Sequence, residues 1–250
     1  MCIICDGDYD VNIYIINAGL TSLNCNGCSR ITNIPYLPLL THLNCNGCSR
    51  ITNIPYLPLL TSLTCYECPV LTSIPILPLL TNLNCCSCPL LSHIPECPLL
   101  TNLWCSMCSS ITCIPDLSSL SFLHCNDCSE MNYIPYLPSL YCLWCQNCPR
   151  LKTIRDIYSL NYLYCDGCQF LTTIHNLYSL TNLSCSDCPF LYLSYKMRLK
   201  FNRPLNTLFN KVKWLKIKTK QKFKQKMSSI ILDNTIFYPV LINIITNYIA

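Results

Sequence analysis

The sequence predicts a β-rich solenoid, an elongated stack of short repeats, and three observations predict it. Blocks of 20 residues recur: residues 21–40 and 41–60 differ only at Ser22 and His42, and the same period continues to residue 190. The third residue of all nine blocks is Leu, and the fifth and eighth are Cys. Prolines recur in the second half of the first six blocks. A fixed period of this length indicates units that bury their apolar faces only against their neighbours.

Each block predicts one strand and one extended return segment. Leu23 and Cys25 are two residues apart, so on a strand both point to one face, while Asn24 points to the other. Stacked units pair these strands in parallel at about 4.8 Å, which gives a ladder roughly 40 Å long. Pro35 and Pro38 exclude an ordinary helix from the return segment, because proline lacks an N–H and disfavours helical backbone at the preceding residue. We therefore expect a convex side that is extended or polyproline-like, with short 3₁₀ turns.

Across a block junction the sequence from Leu20 to Leu40 follows the pattern L-x-x-L-x-C-x-x-C-x-x-I-x-x-I-P-x-L-P-x-L. This string resembles the leucine-rich repeat family, whose signature is L-x-x-L-x-L-x-x-N/C-x-L. Cys25 stands where a third Leu is usual, and Cys28 stands at the Asn/Cys position. The I-P-x-L-P half is similar to the 20-residue class of bacterial effector proteins, and the C-x-x-I spacing to the cysteine-containing class. The resemblance covers about 170 of the 250 residues.

The resemblance implies a horseshoe with a parallel sheet on its concave face, and a non-catalytic protein–protein interaction module as its function. The chain also looks similar to leucine-rich repeat proteins carried by large DNA viruses of amoebae. Its near-identical tandem units and its richness in Ile, Asn, Tyr and Lys are typical of an AT-rich genome. This last similarity concerns origin only.

Charge and register divide the chain into three segments. Residues 1–20 fit the pattern poorly and are interpreted as a degenerate capping repeat, residues 21–191 as the solenoid, and residues 192–250 as a basic tail. Residues 1–190 hold five Lys and Arg against eleven Asp and Glu, whereas residues 191–250 hold twelve against one. The first ten residues carry three Asp and no basic residue, so no secretory leader is predicted. This favours a reducing intracellular compartment, the cytoplasm of the cell or of a host cell.

The 24 cysteines are interpreted mainly as core residues. The Cys25–Cys28 pair and its equivalents have zinc-ribbon spacing, but nine pairs cannot form complete four-thiolate sites. Since free Cys behaves as a small buried hydrophobe with a weak S–H donor, the first column is expected to fill the core and the second to satisfy turn carbonyls. Cys97 should replace a core Leu, and Cys86 and Cys142 should face outward. The alternative is a zinc-binding or redox-responsive protein, which metal analysis of the purified protein would distinguish.

Side chains flanking the inward Leu form an exposed surface that changes along the array. The first repeats carry mostly Asn, Ser and Thr there, whereas repeats five to eight carry aromatic residues. We expect one aromatic patch edged by two carboxylates: Trp104, Phe122, His124, Trp144, Tyr162 and Tyr164, with Asp127 and Asp166. Exposed aromatic residues are enriched in binding hot spots, so the patch predicts a site for a protein partner. The alternatives are that the rings cover one another, or that the C-terminal tail folds back onto them.

The sequence contains no catalytic constellation. His42, His93, His124 and His175 occupy different repeat positions and converge on no nucleophile or carboxylate. There is no Gly-rich phosphate loop and no H-E-x-x-H motif. We therefore predict no enzyme activity, no cofactor, no bound metal and no small-molecule substrate.

The basic tail predicts either a cap or a charged contact surface. Residues 196–226 hold its twelve Lys and Arg, and apolar residues recur at helical spacing after Pro204, which predicts a short helix. Residues 229–250 are apolar but interrupted by Asp233 and Pro239, which is too polar for a spanning helix of ~20 residues. We expect the tail to cap the solenoid. The alternative partners of the tail are a membrane surface and nucleic acid, either of which would be bound through the clustered lysines.

Overall fold

The computed structural model describes residues 19–174, 179–189 and 191, and over these residues the chain forms a solenoid with one turn every 20 residues. Twelve short strands lie in the described ranges: β1 (Ser22–Asn24), β2 (His42–Asn44), β3 (Ser62–Thr64), β4 (Asn82–Asn84), β5 (Asn102–Trp104), β6 (Phe122–His124), β7 (Tyr133–Ile134), β8 (Cys142–Trp144), β9 (Thr153–Ile154), β10 (Tyr162–Tyr164), β11 (Thr173–Ile174) and β12 (Asn182–Ser184). Nine of these described strands form one sheet in the order β1-β2-β3-β4-β5-β6-β8-β10-β12. The predicted parallel β-solenoid is thus confirmed for this part of the chain.

The main sheet is parallel and keeps a register of 20 residues. Leu23 pairs with Leu43, and Leu43 pairs with Leu63. The central Leu of each strand is buried, and the side chains beside it lie on the opposite face of the sheet. Between turns, Thr41 donates its hydroxyl to the carbonyl of Thr21 at 2.9 Å, and Thr61 does the same to Thr41 at 3.0 Å. Identical side chains one turn apart therefore form continuous rows along the molecule.

The return segments are extended, as their prolines predict. No helix of any kind lies in the described ranges. The return segments contain single turns closed by a 3₁₀-type hydrogen bond, such as the one in which Leu40 N donates to Leu37 O at 3.1 Å. In repeats six to eight the return segments also pair, forming a small parallel sheet in the order β11-β9-β7. The sequence analysis did not predict this second sheet.

The buried core runs the length of the described solenoid, from Leu23 to Leu191. Cys97, which stands at a position usually occupied by Leu, is fully buried, and its sulfur accepts a hydrogen bond from Leu77 N at 3.4 Å. The prediction for Cys97 is confirmed. Because a thiol is smaller than an isobutyl group and accepts a hydrogen bond, it fills this place without isolating the amide.

The second cysteine of each pair closes the turn of the preceding repeat. Cys48 Sγ donates to Cys25 O at 3.1 Å, and the equivalent bond recurs in each later described repeat, ending with Cys188 and Cys165 at 2.9 Å. The expectation that this column satisfies turn carbonyls is confirmed. Cys28 departs from it, because its sulfur is disulfide-bonded. The other 21 cysteines of the described ranges form no disulfide.

The residue before that second cysteine has a left-handed backbone in all nine described repeats. Its φ is 68° at Gly27, 61° at Gly47 and 72° at Gly167, and between 53° and 58° at the six non-glycine equivalents: Glu67, Ser87, Met107, Asp127, Asn147 and Asp187. Residues with a Cβ adopt this conformation at a cost of roughly 1–2 kcal/mol. Six repeats therefore contain a strained turn that Gly would relieve.

Several sequence-based expectations lie outside the described residues. They are the degenerate repeat over residues 1–18, His175, the helix after Pro204, and the basic tail over 192–250. Within the described ranges, no helix has the length and apolar composition needed to cross a membrane.

Candidate functional site

The register of the main sheet brings the predicted aromatic residues together on its outward face. Trp104 pairs with His124, His124 with Trp144, and Trp144 with Tyr164. On the other side of the buried Leu row, Phe122 pairs with Cys142, and Cys142 with Tyr162. We call this surface the aromatic strip, defined by six residues: Trp104, Phe122, His124, Trp144, Tyr162 and Tyr164.

The first row of the strip is a ladder of rings in contact. His124 meets Trp144 edge to face, with ring centroids 5.3 Å apart. Trp144 stacks on Tyr164, with centroids 5.5 Å apart and an angle of 5° between the ring planes. Trp104, at the start of the row, remains 37% exposed. Aromatic contacts of this kind hold rings in fixed orientations and contribute about 0.5–1.5 kcal/mol per pair beyond area burial.

The second row contains a ring that sequence reasoning missed. Tyr141 lies between Phe122 and Tyr162, at centroid distances of 6.0 and 5.3 Å. It replaces the Thr that is common at the first position of a repeat, so its only signal in the sequence was this departure from the pattern. Cys142 lies on the outward face, as predicted, but its neighbours cover it, since it is 3% exposed. A small side chain between bulkier neighbours is covered by them, and this burial raises the pKa of Cys142 to about 11.

In each repeat, the residue two positions after the ring of the first row is polar, and these polar side chains make the ladder of rings possible. In early repeats the Asn of the strand satisfies the next amide locally: Asn24 Oδ1 accepts from Asn26 N at 3.1 Å. An aromatic residue at that position cannot do this. Instead, Asn126 Oδ1 accepts from Gln146 N at 2.8 Å, one repeat later. An unsatisfied buried amide costs about 1–3 kcal/mol. Because the acceptor comes from the preceding repeat, rings can occupy the strand without leaving an amide unsatisfied.

These polar side chains form a connected chain beside the rings. Asn126 Nδ2 donates to Gln146 Oε1 at 3.3 Å, and Gln146 Nε2 donates to Asp166 Oδ2 at 2.8 Å. Asp166 Oδ1 accepts from Ser184 Oγ at 2.8 Å and from Ser186 N at 2.6 Å. Asp166, predicted to lie at the edge of the patch, thus lies at the end of this chain. Sequence reasoning did not identify Asn126 and Gln146, which look like ordinary surface polar residues.

Asp166 is held as a carboxylate. Its partial burial opposes ionisation, but the hydrogen bonds from Ser184, Ser186 and Gln146 outweigh burial and lower the pKa of Asp166 below its usual value. Asp127, the other predicted edge residue, is exposed and accepts a hydrogen bond from Asn147 Nδ2 at 3.0 Å. Both carboxylates therefore lie along the edge of the strip.

His124 is neutral in this environment. Burial lowers its pKa, and the nearby charge of Asp127 opposes this effect without reversing it. Its Nε2 lies 3.2 Å from Asn126 Nδ2. An amide nitrogen only donates, so Nε2 accepts and the imidazole proton is on Nδ1. The ring therefore acts in the ladder as an uncharged aromatic group.

The cysteine columns provide no metal centre in the described residues. No group of three or more His, Cys, Asp and Glu side chains there is arranged to hold an ion. Hydrogen bonding with the next thiol, together with burial, raises the pKa of Cys85, Cys105 and Cys165 well above the ordinary value. The same hydrogen bonds act in the opposite direction on the partner thiols and lower the pKa of Cys68 and Cys108, and that of Cys168 to about 4. The zinc alternative therefore has no ligand group among the described residues.

The described residues define a class of protein: a parallel β-solenoid of 20-residue repeats with a rigid aromatic surface on its main sheet. No protein-family profile and no curated protein sequence matches the chain. Among solved structures, the chain is similar to a leucine-rich repeat protein from Bacteroides ovatus, with 14% sequence identity, coverage of 69% of each chain and a TM-score of 0.33.

Proposed function

We propose that this protein is a non-catalytic scaffold that binds a protein partner through the aromatic strip on its main sheet. The observation that carries the proposal is the pair of ring rows confined to repeats five to eight. The first row begins with Trp104 in repeat five. The equivalent positions in repeats one to four carry only His42 and small polar side chains. A uniform structural role would not require this restriction to one half of the array.

Two physical properties suit the strip to binding. Trp104 and Phe122 are 37% and 40% exposed, so apolar area remains to be removed from water, at about 25 cal/mol per Å². The rings of repeats six to eight are also held by their mutual contacts, so a partner orders few of these side chains when it binds. Large aromatic residues on a preorganised surface are the typical composition of a binding hot spot.

The test is affinity capture from a cell lysate with the full chain and with a Trp104→Ala/Trp144→Ala variant. A matched control is Tyr36→Ala/Tyr56→Ala, since these tyrosines are 56% and 52% exposed on the return segments, away from the strip. Partners of the strip should be recovered with the wild type and the control and lost with the Trp variant. Equal recovery of every partner by all three proteins would remove the proposal.

A further inference from the structure

The outward face of the main sheet and its turn edge carry negative charge and no positive charge. The outward side chains of each repeat lie two residues apart, and the left-handed turn lies directly beside them. At these positions the described repeats carry no Lys or Arg and four carboxylates: Glu67, Asp127, Asp166 and Asp187. The five described Lys and Arg lie later in their repeats, toward the return segments: Arg30, Arg50, Arg150, Lys152 and Arg155. The surface that holds the rings is therefore purely anionic.

The ring ladder ends at Tyr164, a partly exposed ring beside this charge. Trp144 stacks on one face of Tyr164, so the other face is directed along the sheet toward the paired residue of the next strand, Ser184. A hydroxymethyl group is too small to cover a phenol ring, and it is turned to Asp166, to which it donates at 2.8 Å. Asp187 is exposed in the adjoining turn. An aromatic face next to carboxylates attracts an ammonium group and the alkyl chain that carries it.

A segment of complementary chemistry belongs to this same chain. Residues 216–226 read K-I-K-T-K-Q-K-F-K-Q-K, so every second residue is Lys. On an extended segment, residues two apart point to one side, and this alternation would place six ammonium groups on a single face. On a helix the same spacing would distribute them around the axis. The pattern therefore favours an extended segment that presents lysines to an anionic surface.

We propose that residues 216–226 bind along the aromatic strip of the same molecule, with lysine side chains against Tyr164 and the carboxylates of Asp127, Asp166 and Asp187. The chain is long enough for this. From Leu191 to Lys216 there are 25 residues, which span up to about 80 Å when extended, against a main sheet roughly 40 Å long. A tethered segment also has a local concentration in the millimolar range, far above that of any external segment.

This inference concerns the same surface as the proposed function but does not depend on it. If both hold, an external partner must displace the lysine segment to reach the rings. The protein would then bind its partner more tightly when lysines 216–226 are neutralised.

The experiment is zero-length cross-linking of the full chain with a carbodiimide, which joins a lysine amine to a carboxylate that it touches. Glu96 and Asp116 are also exposed, but on the return segments. We expect cross-links from lysines 216–226 to Asp127 and Asp187 to exceed those to Glu96 and Asp116 by about tenfold, as a charge contact supported by an aromatic face implies. They should decrease as salt rises from 0.15 to 1 M, because the Debye length decreases from about 8 to about 3 Å.

One variant and a mixing control make the outcome decisive. Neutralising Lys196, Arg198, Lys200 and Arg203 to Gln should retain the strip cross-links, because these residues lie outside the segment that is proposed to bind. Mixing ¹⁵N-labelled and unlabelled chains should give no cross-links between the two labels. An even distribution over Asp127, Asp187, Glu96 and Asp116, or cross-links mainly between labels, would overturn the proposal. Affinity capture with the Trp104→Ala/Trp144→Ala variant tests the external partner separately.

Discussion

The left-handed turn before the second cysteine of each repeat allows a substitution whose sign follows from the structure. Met107 has a φ of 58° and an exposed side chain that makes only a 3.9 Å contact between Ser87 Oγ and its sulfur. Replacing it by Gly removes the left-handed penalty of roughly 1–2 kcal/mol, while the greater freedom of Gly in the unfolded chain offsets roughly 0.4–1 kcal/mol. We expect Met107→Gly to be more stable than Met107→Ala by about 0.5–1 kcal/mol.

The comparison with Met107→Ala isolates the backbone effect, because both variants lose the same side chain. Chemical denaturation of the full chain, followed by far-ultraviolet circular dichroism, gives the difference in unfolding free energy from the transition midpoints. In thermal unfolding the same difference corresponds to about 1–4 °C for a chain of this size. An alanine variant as stable as the glycine variant would refute the assignment of strain to this turn.

The reverse substitution, of Gly by Ala at the same turn position of the eighth repeat, should destabilise the protein. Gly167 has a φ of 72°, and a Cβ added there would lie 2.3 Å from Asn147 Oδ1. Asn147 would have to move, which would break its 3.0 Å hydrogen bond to Asp127. We expect Gly167→Ala to destabilise the protein by about 1–2 kcal/mol in the same denaturation experiment. A neutral or stabilising effect would contradict the geometry of this turn.

Two further predictions concern Cys128 and His124. Cys128 Sγ donates to Cys105 O at 3.1 Å, so Cys128→Ala should lower the unfolding free energy by about 1–3 kcal/mol. Cys128→Ser keeps a donor and should lower it by less. Equal losses in chemical denaturation would show that the hydrogen bond does not contribute. The pKa of His124 lies below 6.5, so the unfolded chain binds its proton more tightly, and the stability present above about pH 6.5 should be lost as the pH falls through the folded-state pKa. Nuclear magnetic resonance titration measures the pKa of His124, and a value at or above 6.5 would contradict this prediction. The His124→Gln variant should lose the part of the pH dependence of stability that comes from this group.

The sequence predicted those parts of the structure that repeat. Equivalent residues 20 apart lie side by side in a solenoid, so each column of the aligned blocks corresponds to a row of contacts. The buried Leu23 and Cys25 rows, the extended return after Pro35, and the Sγ–carbonyl bond of Cys48 all follow from periodicity and from the small set of partners a buried thiol can find. The rows of rings were predicted in the same way.

Only the tertiary structure decided the features that depend on how unequal side chains meet across rows. The left-handed turn was visible in the sequence only where Gly occupies it, at Gly27, Gly47 and Gly167, and the other six repeats adopt it because the hydrogen bonds between turns impose it. Cys142 is buried because bulkier neighbours cover it, and Tyr141 joins the rings because it reaches both Phe122 and Tyr162. A single sequence records which residues are neighbours in a repeat array, whereas their packing and shared hydrogen bonds are settled only when the turns are stacked.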